Sequence, residues 1–278
     1  MTTFQKVIKV LAIILGVLII TAIIKVVLTT IGVISGLNYI NENKYTETFN
    51  QEYTNINSIE LEIDSADIVI KEGNTFSVDA KNVSKRFKSK TSNGKLIIEE
   101  KNKKWKKSID SKVVISIPKT ENINELNIEN GAGQLSISNL SFGELEISQG
   151  AGTLIIENIT SNKTEIEGGA GEIVVNNSTL NDLKLDSGVG SVDIEAKLTG
   201  KSEINCGVGA ISLNLTGTEE DYTLSIEKGI GSIKIEGVEQ KNNTIYGSGL
   251  NKIEIEGGVG EIKVDFTKSN VIDGMLTN

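Results

Sequence analysis

Residues 126–137 read LNIENGAGQLSI, residues 145–156 read LEISQGAGTLII and residues 164–175 read TEIEGGAGEIVV. The Gly-small-Gly triplet at their centre returns seven times: GAG at Gly131, Gly150 and Gly169, GVG at Gly188 and Gly207, GIG at Gly229 and GVG at Gly258. The first five copies lie 19 residues apart, the next step is 22 and the last is 29. A period near 20 residues marks a stacked repeat architecture. Counting from the first Gly of each triplet, position −3 is Ile128, Ile147, Ile166, Leu185, Ile204, Ile226 and Ile255. Positions +4 and +6 are branched aliphatics in every copy, as in Leu135 and Ile137 or Ile173 and Val175. Position −5 is aliphatic too, with Thr164 and Ser202 as exceptions. Each unit therefore holds two short runs of period two, which predict strands with one buried face.

The triplet is the corner between those strands. Glycine reaches backbone angles closed to other residues, so a pair of them turns the chain sharply. The corner glycines are Gly131 and Gly133, Gly150 and Gly152, Gly169 and Gly171, Gly188 and Gly190, Gly207 and Gly209, Gly229 and Gly231, and Gly258 and Gly260. The small apolar residue between them, as at Ala132 or Val189, is expected to pack inward. A second corner is predicted at +8, where Asn139, Asn158 and Asn177 fall. Asn tolerates left-handed turns, and stacked Asn side chains bond rung to rung. No unit buries its apolar side alone. Stacked in register, the units make an all-β fold: a parallel β-solenoid, or β-helix, with rungs of about 19 residues.

The chain has 278 residues, with 28 Gly, one Pro, 4% aromatics, no His and a single Arg, Arg86. The lone Cys206 excludes an intramolecular disulfide. The net charge of −9 is unevenly spread. Residues 81–112 carry twelve Lys or Arg against three acids, a net +9, which leaves −18 elsewhere. From Val10 to Leu28 the chain is nearly all apolar, with Lys25 its one charge. Nineteen helical residues span about 28 Å, close to a bilayer core. The segment is long for a signal peptide and no A-x-A site follows it. One transmembrane α-helix is expected to precede the solenoid. Lys6 and Lys9 keep the N-terminus in the cytoplasm and place the bulk outside.

The predicted organisation is a cytoplasmic N-terminus over 1–9, a transmembrane anchor over 10–37 and a stalk or lead-in segment over 38–57. N-terminal capping strands with a basic hairpin follow over 58–120, then a regular solenoid over 121–266 and a polar tail over 267–278. Within the capping part, IELEIDSADIVI at 59–70 reads as a degenerate rung with Ser65-Ala66-Asp67 in the corner place.

The N-terminal anchor, IELEIDSADIVI, the VVISIPK strand at 113–119 and the repeated L-x-I-x-x-G-A-G-x-L-x-I together resemble the bacterial candidate-adhesin family of β-strand-repeat domains of unknown function. That resemblance covers about residues 45–266. It implies the solenoid fold and a cell-envelope setting, in places alongside envelope-stress operons of Gram-positive bacteria. It implies no reaction.

The motifs exclude several chemistries. A dinucleotide fingerprint needs a third Gly and a following helix, and here a strand follows. Calcium-binding nonapeptide repeats place Asp two residues after the corner, where this chain has aliphatics such as Ile173 and Ile262. Outward acids on neighbouring rungs, Glu146 and Glu165, are followed by Lys184 and Glu203 and read as a solvated strand face. No catalytic residue, metal ligand or cofactor is expected, and no nucleic-acid partner. The interaction candidates are KNKKWKK, with Lys101, Lys103, Lys104, Trp105, Lys106 and Lys107, and a docking patch at Ile155 and Val174. The basic stretch suits anionic lipid or wall polymer, or equally the acidic solenoid of the same chain. The expected function is a membrane-anchored, extracellular, non-enzymatic binding or scaffold module of the envelope, its partners the bilayer and a lipid, polymer or membrane protein. The alternatives are a regulatory sensor of envelope stress acting through a membrane partner and a polysaccharide-acting enzyme. The strand periodicity carries its own test. Ile166→Lys should cost about 3 kcal/mol or more, whereas Glu165→Lys should stay within about 0.5 kcal/mol. Urea melts with equal losses for both would contradict the assignment of faces.

Overall fold

The computed structural model describes residues 47–101 and 110–267. The predicted membrane segment 10–37 lies outside the described residues, as do residues 1–9, 38–46 and 268–278. Among the described residues no helix is long and apolar enough to cross a membrane. In chain order the strands are β1 Glu47–Glu52, β2 Ser58–Ile63, β3 Asp67–Gly73, β4 Ser77–Val83, β5 Lys88–Ser92, β6 Lys95–Glu100 and β7 Lys112–Pro118. Long bent strands follow: β8 Ile123–Ser138, β9 Ser141–Glu157, β10 Thr160–Asn181, β11 Leu183–Thr199 and β12 Lys201–Thr216. Last come β13 Tyr222–Ile235, β14 Val238–Gln240, β15 Thr244–Gly247 and β16 Asn251–Thr267.

Each long strand is one rung with the triplet at its bend. β8 to β12 pair in parallel one after another, so that Ala132 faces Ala151, Ala151 faces Ala170, Ala170 faces Val189 and Val189 faces Val208. Positions −3, +4 and +6 all point inward. The whole column Ile128, Ile147, Ile166, Leu185, Ile204, Ile255 and Ile226 is at most 1% exposed. The exceptions at −5, Thr164 and Ser202, are buried as well. Each fully buried aliphatic contributes up to about 1.5–3 kcal/mol, and there are several per rung, so two small hydroxyls do not break the column.

The corner is held by backbone contact. A Cβ built on Gly209 would lie 1.5 Å from the carbonyl oxygen of Gly190, one rung below, and Gly209 has φ +147°. A Cβ on Gly207 would come within 2.7 Å of the Gly188 oxygen. The stacked carbonyl stands where a side chain would begin, so both glycines are obligatory. At the second corner Asn139, Asn158 and Asn177 have φ of 59°, 54° and 49°. The Asn158 Nδ2 donates to Asn139 Oδ1 at 2.9 Å, which is the expected ladder.

The order of rungs differs from the order of the chain at both ends. β16, the last strand in sequence, lies between β12 and β13, pairing with both. β13 is therefore the outermost parallel rung, and the 29-residue step holds its cap: β14 and β15, antiparallel to its two halves. At the other end β2 and β3 form a rung around residues 64–66 and pair with β8. β6 and β7 pair outside them, closed by antiparallel β5 and β4, with β1 beyond β4. Residues 47–52 of the predicted stalk or lead-in segment are thus strand β1. Aromatic rings plug the ends. Phe49 and Phe87 meet at 5.1 Å and Tyr53 and Phe76 at 6.2 Å at one end, and Tyr222 and Tyr246 flank Phe266 at 5.9 and 6.3 Å at the other.

Gly209→Ala should destabilise the chain by about 3 kcal/mol or more, because a backbone carbonyl must move. Gly237→Ala, where φ is +72° and nothing lies within 4 Å, should cost only about 1–2 kcal/mol. Chemical denaturation of the two variants measures the difference, and equal losses would remove the carbonyl contact as the cause.

Candidate interaction surface

The residues between the paired glycines do not pack inward. Val189, Val208 and Ile230 are 49%, 42% and 47% exposed, and Ala151 and Ala170 are exposed too. The inside of four of the seven corners is taken by the residue just before the triplet: Asn130, Gln149, Ser187 and Cys206 are all buried there. Gln149 Nε2 donates to the corner carbonyls of Gly133 at 2.9 Å and Ala151 at 3.1 Å. Asn130 Nδ2 donates to Gln149 Oε1 at 3.1 Å, and Cys206 Sγ reaches the Gly190 carbonyl at 3.9 Å. Burial pushes the Cys206 thiol up, away from the thiolate. Gly168 has no side chain in this column and leaves a dent beside Gln149, Ile173 and Ser187. With polar side chains satisfying the corner from within, the middle residue is turned to solvent.

Register pairing lines these residues up. From the β8 end the outer column runs Ala132, Ala151, Ala170, Val189, Val208, Val259 and Ile230. Its second half is a ridge of branched aliphatics on four successive rungs. Carboxylates rim it: Glu167 and Glu172 on β10, Asp186 on β11, Glu256 and Glu261 on β16 and Glu227 on β13. Glu261 also binds Lys234 at 2.6 Å, and Lys228 lies over the outermost corner, donating to the Gly231 carbonyl.

The predicted contact residues are divided. Lys101 is described: its ammonium pairs with Glu62, and that hydrogen bond raises its pKa. Lys103, Lys104, Trp105, Lys106 and Lys107 lie outside the described residues. Their two stems are placed, however. Glu100 is in register with Ile63 and Lys112 with Asp67, so Lys101 and Ser111 stand at the corner of the outermost rung. Other lysines of the basic stretch pair with glutamates of the cap, Lys95 with Glu60 at 2.5 Å and Lys90 with Glu99 at 3.5 Å. Exposed pairs of this kind are worth little each. Ile155 and Val174 are neighbours in register but half-buried, flanked by Ser136 and Asp193. The strand-face acids are solvated and paired: Glu165 with Lys184 at 2.5 Å, Glu203 with Lys201 at 2.7 Å and Glu146 with Asn127 at 3.0 Å. Among the described residues no group of three or more Cys, Asp or Glu side chains is placed to hold a metal ion.

The Toastrack DUF4097 profile matches residues 56–270, the stretch that forms the rungs and their caps. The chain belongs to that family. No curated protein matches it. Solved structures similar to this Toastrack chain include a candidate adhesin from Bacteroides fragilis, at 14% identity and a TM-score of 0.42, covering 78% of this chain and 96% of its own. A candidate cell adhesion protein from Clostridium sporogenes is 14% identical with a TM-score of 0.35, covering 80% and 99%. A candidate lipid binding protein from Parabacteroides distasonis is 16% identical with a TM-score of 0.39, covering 80% and 96%.

One buried group of this Toastrack domain stands apart. Glu100, 1% exposed, accepts a 2.6 Å bond from the Ser84 amide through Oε1, while its Oε2 has no partner. Burial pushes its pKa up, against the Ser84 bonds, and the charge of Asp64 adds to the rise. With the folded value above the unfolded one, stability is highest while Glu100 is protonated and is lost as pH rises through the raised value. Glu100→Gln should therefore stabilise the chain by about 1 kcal/mol near pH 7, and the gain should shrink towards about pH 4. Urea melts at the two pH values check this, and a gain that grows in acid would contradict it.

Proposed function

We propose that this Toastrack chain is a membrane-anchored, extracellular module of the cell envelope that binds or scaffolds other envelope components and performs no reaction. The observation that carries the reading is the aliphatic ridge. Val189, Val208 and Ile230 stand nearly half exposed on a backbone held rung to rung by carbonyl contact. Contiguous exposed apolar surface of this kind marks contact sites, and a rigid ladder presents it with little ordering cost. The apolar run from Val10 to Leu28 supplies the anchor, and Lys6 and Lys9 set its orientation. Lys101 and the basic segment after it add an electrostatic contact for anionic lipid, wall polymer or an acidic protein face.

Two measurements test it on the full chain in intact cells. Protease added outside should remove the Toastrack domain, and deletion of 10–37 should release the protein from the membrane fraction. Protection until lysis would overturn the extracellular assignment. A photoreactive residue at Val208 should give light-dependent adducts that the same residue at Ser212, on the polar strand face, does not. Equal yields at both positions would remove the binding role.

A further inference from the structure

The ridge on the corner edge has a width, a spacing and a charge pattern, and each of them constrains what can cover it. Val189, Val208 and Ile230 stand exposed, with half-buried Val259 in register between the last two. The ridge is one side chain wide. The outward positions on either side of it, −2 and +3, carry Glu167, Asp186, Glu256 and Glu227 in one column and Glu172 and Glu261 in the other. Asp186 accepts from Asn205 Nδ2 at 2.8 Å, and Glu261 pairs with Lys234 at 2.6 Å. Glu167, Glu172, Glu227 and Glu256 are exposed and form no ion pair among the described residues. The nearest lysines are already engaged: Lys184 by Glu165, Lys263 by Asp265 and Lys228 by the Gly231 carbonyl. An aliphatic line thus runs between two lines of carboxylate, and four of those carboxylates lack a cation.

The rims select the charge of the partner. An anionic lipid face or wall polymer meets like charge at this edge. A second copy laid ridge on ridge sets carboxylate on carboxylate. The described basic strand of a second copy, β5, reads KSKTS and has no apolar side chain to cover valines. The complement of this edge is an apolar stripe with cations on both flanks.

The spacing selects its secondary structure. Stacked rungs repeat about every 4.8 Å, so the ridge from Val189 to Ile230 is about 14 Å long. An α-helix laid along it brings one face round every 5.4 Å or so. Centred on the ridge, four turns stay within about 1 Å of the four rungs, with apolar residues at i, i+3 or i+4, i+7 and i+11. A strand laid the same way presents one face about every 6.6 Å, so its second side chain falls between rungs. The helix also carries both flanks with it, since residues on either side of its stripe reach down to the two acid columns. We infer that the corner edge from β10 to β13 is the docking surface for a basic amphipathic α-helix of another protein: its apolar stripe lies along Val189, Val208, Val259 and Ile230, and its lysines or arginines meet Glu167, Glu172, Glu227 and Glu256. The inference rests on the binding reading above and names the chemistry of the partner.

The test uses the full chain in phosphatidylcholine nanodiscs and a labelled synthetic peptide of about 15 residues. The peptide carries leucine at i, i+4, i+7 and i+11, lysine on both flanks of that stripe and alanine elsewhere. Fluorescence anisotropy should show binding at about 50 mM salt, weakened at least about tenfold at about 500 mM as the rim charges are screened. Val189→Ser with Val208→Ser and Ile230→Ser should weaken it at least about tenfold, and Glu167, Glu172, Glu227 and Glu256 changed to Gln should do the same. All seven residues are exposed, so the melting point of each variant should hold, and peptide held by lipid alone would respond to neither set. A peptide of the same composition with leucine and lysine alternating should bind at least about tenfold more weakly, as should one with glutamate for lysine. Equal binding of the alternating peptide would overturn the helix, and equal binding of the glutamate peptide would overturn the charge match. No binding of the helical peptide, or binding indifferent to the ridge changes, would overturn the site. In intact cells, sequencing the adducts of a photoreactive residue at Val208 should return a protein segment with that stripe and those flanks. Adducts made only of lipid or of a second copy would overturn the helix and leave the binding role standing. Adducts no more abundant than at Ser212 would remove the two together.

Discussion

A backbone carbonyl stands where a side chain would begin. At every regular corner the oxygen of one rung lies about 2 Å from the position that a Cβ would take on the next, as with Gly152 over Gly133 and Gly209 over Gly190. That contact sets the pitch of the stack, and it admits only glycine. Strand pairing and aliphatic burial could tolerate a wider or looser bend; the carbonyl contact could not. The 19-residue period of the sequence is therefore the period of this one constraint, and the buried columns at −3, +4 and +6 keep register because the corners do.

Stacking creates the opposite problem at the ends, where a rung has no neighbour. The chain solves it in the same way twice. At one end β6 and β7 fold outside β2 and β3, and at the other β13 lies outside β16. Each outermost rung then receives antiparallel strands, β4 and β5 or β14 and β15. Aromatic rings, scarce elsewhere, fill the open ends of the core. Covered and charged edges oppose end-to-end growth. Lys88 and Lys90 on β5 and Glu47 and Glu52 on β1 supply that charge at the first end. Because the final strand is an inner rung, β13 pairs in parallel with a strand made after it.

The regular array was legible because its signal was local and repeated. Period two told which faces are buried, and the triplet spacing told which residues stack. The Asn ladder at Asn139 and Asn158 followed from φ preference alone. Two things were hidden. The inserted β16 depends on which pairs of distant strands meet, and no residue pattern within one rung encodes that. Only the irregular 22- and 29-residue steps hinted at it. The outward turn of the corner residues was legible in principle. Alternation from −5 and −3 puts −1 inside, and the small or polar residues Asn130, Gln149, Ser187 and Cys206 in that column were the sign that the corner is filled from within. Reading the small apolar residue by its hydrophobicity, rather than by the backbone on either side of it, gave the wrong side.

That reversal changes what the corner residue is for. Facing water, it adds nothing to the core. Alanine serves at Ala132, Ala151 and Ala170 with the same pairing and the same glycines, so the corner itself does not require bulk. A β-branched residue in an exposed ladder gains at most about 1 kcal/mol from strand propensity. It also brings apolar surface that water does not favour. Three such residues, Val189, Val208 and Ile230, stand exposed in this column with half-buried Val259 on the rung between the last two, and they are therefore a property of the surface rather than of the fold. The rung supplies a fixed position every few ångströms, and the sequence is free to write a contact there. Structure and recognition are thus carried by alternate atoms of one triplet: the glycines hold the ladder, and the residue between them faces outward.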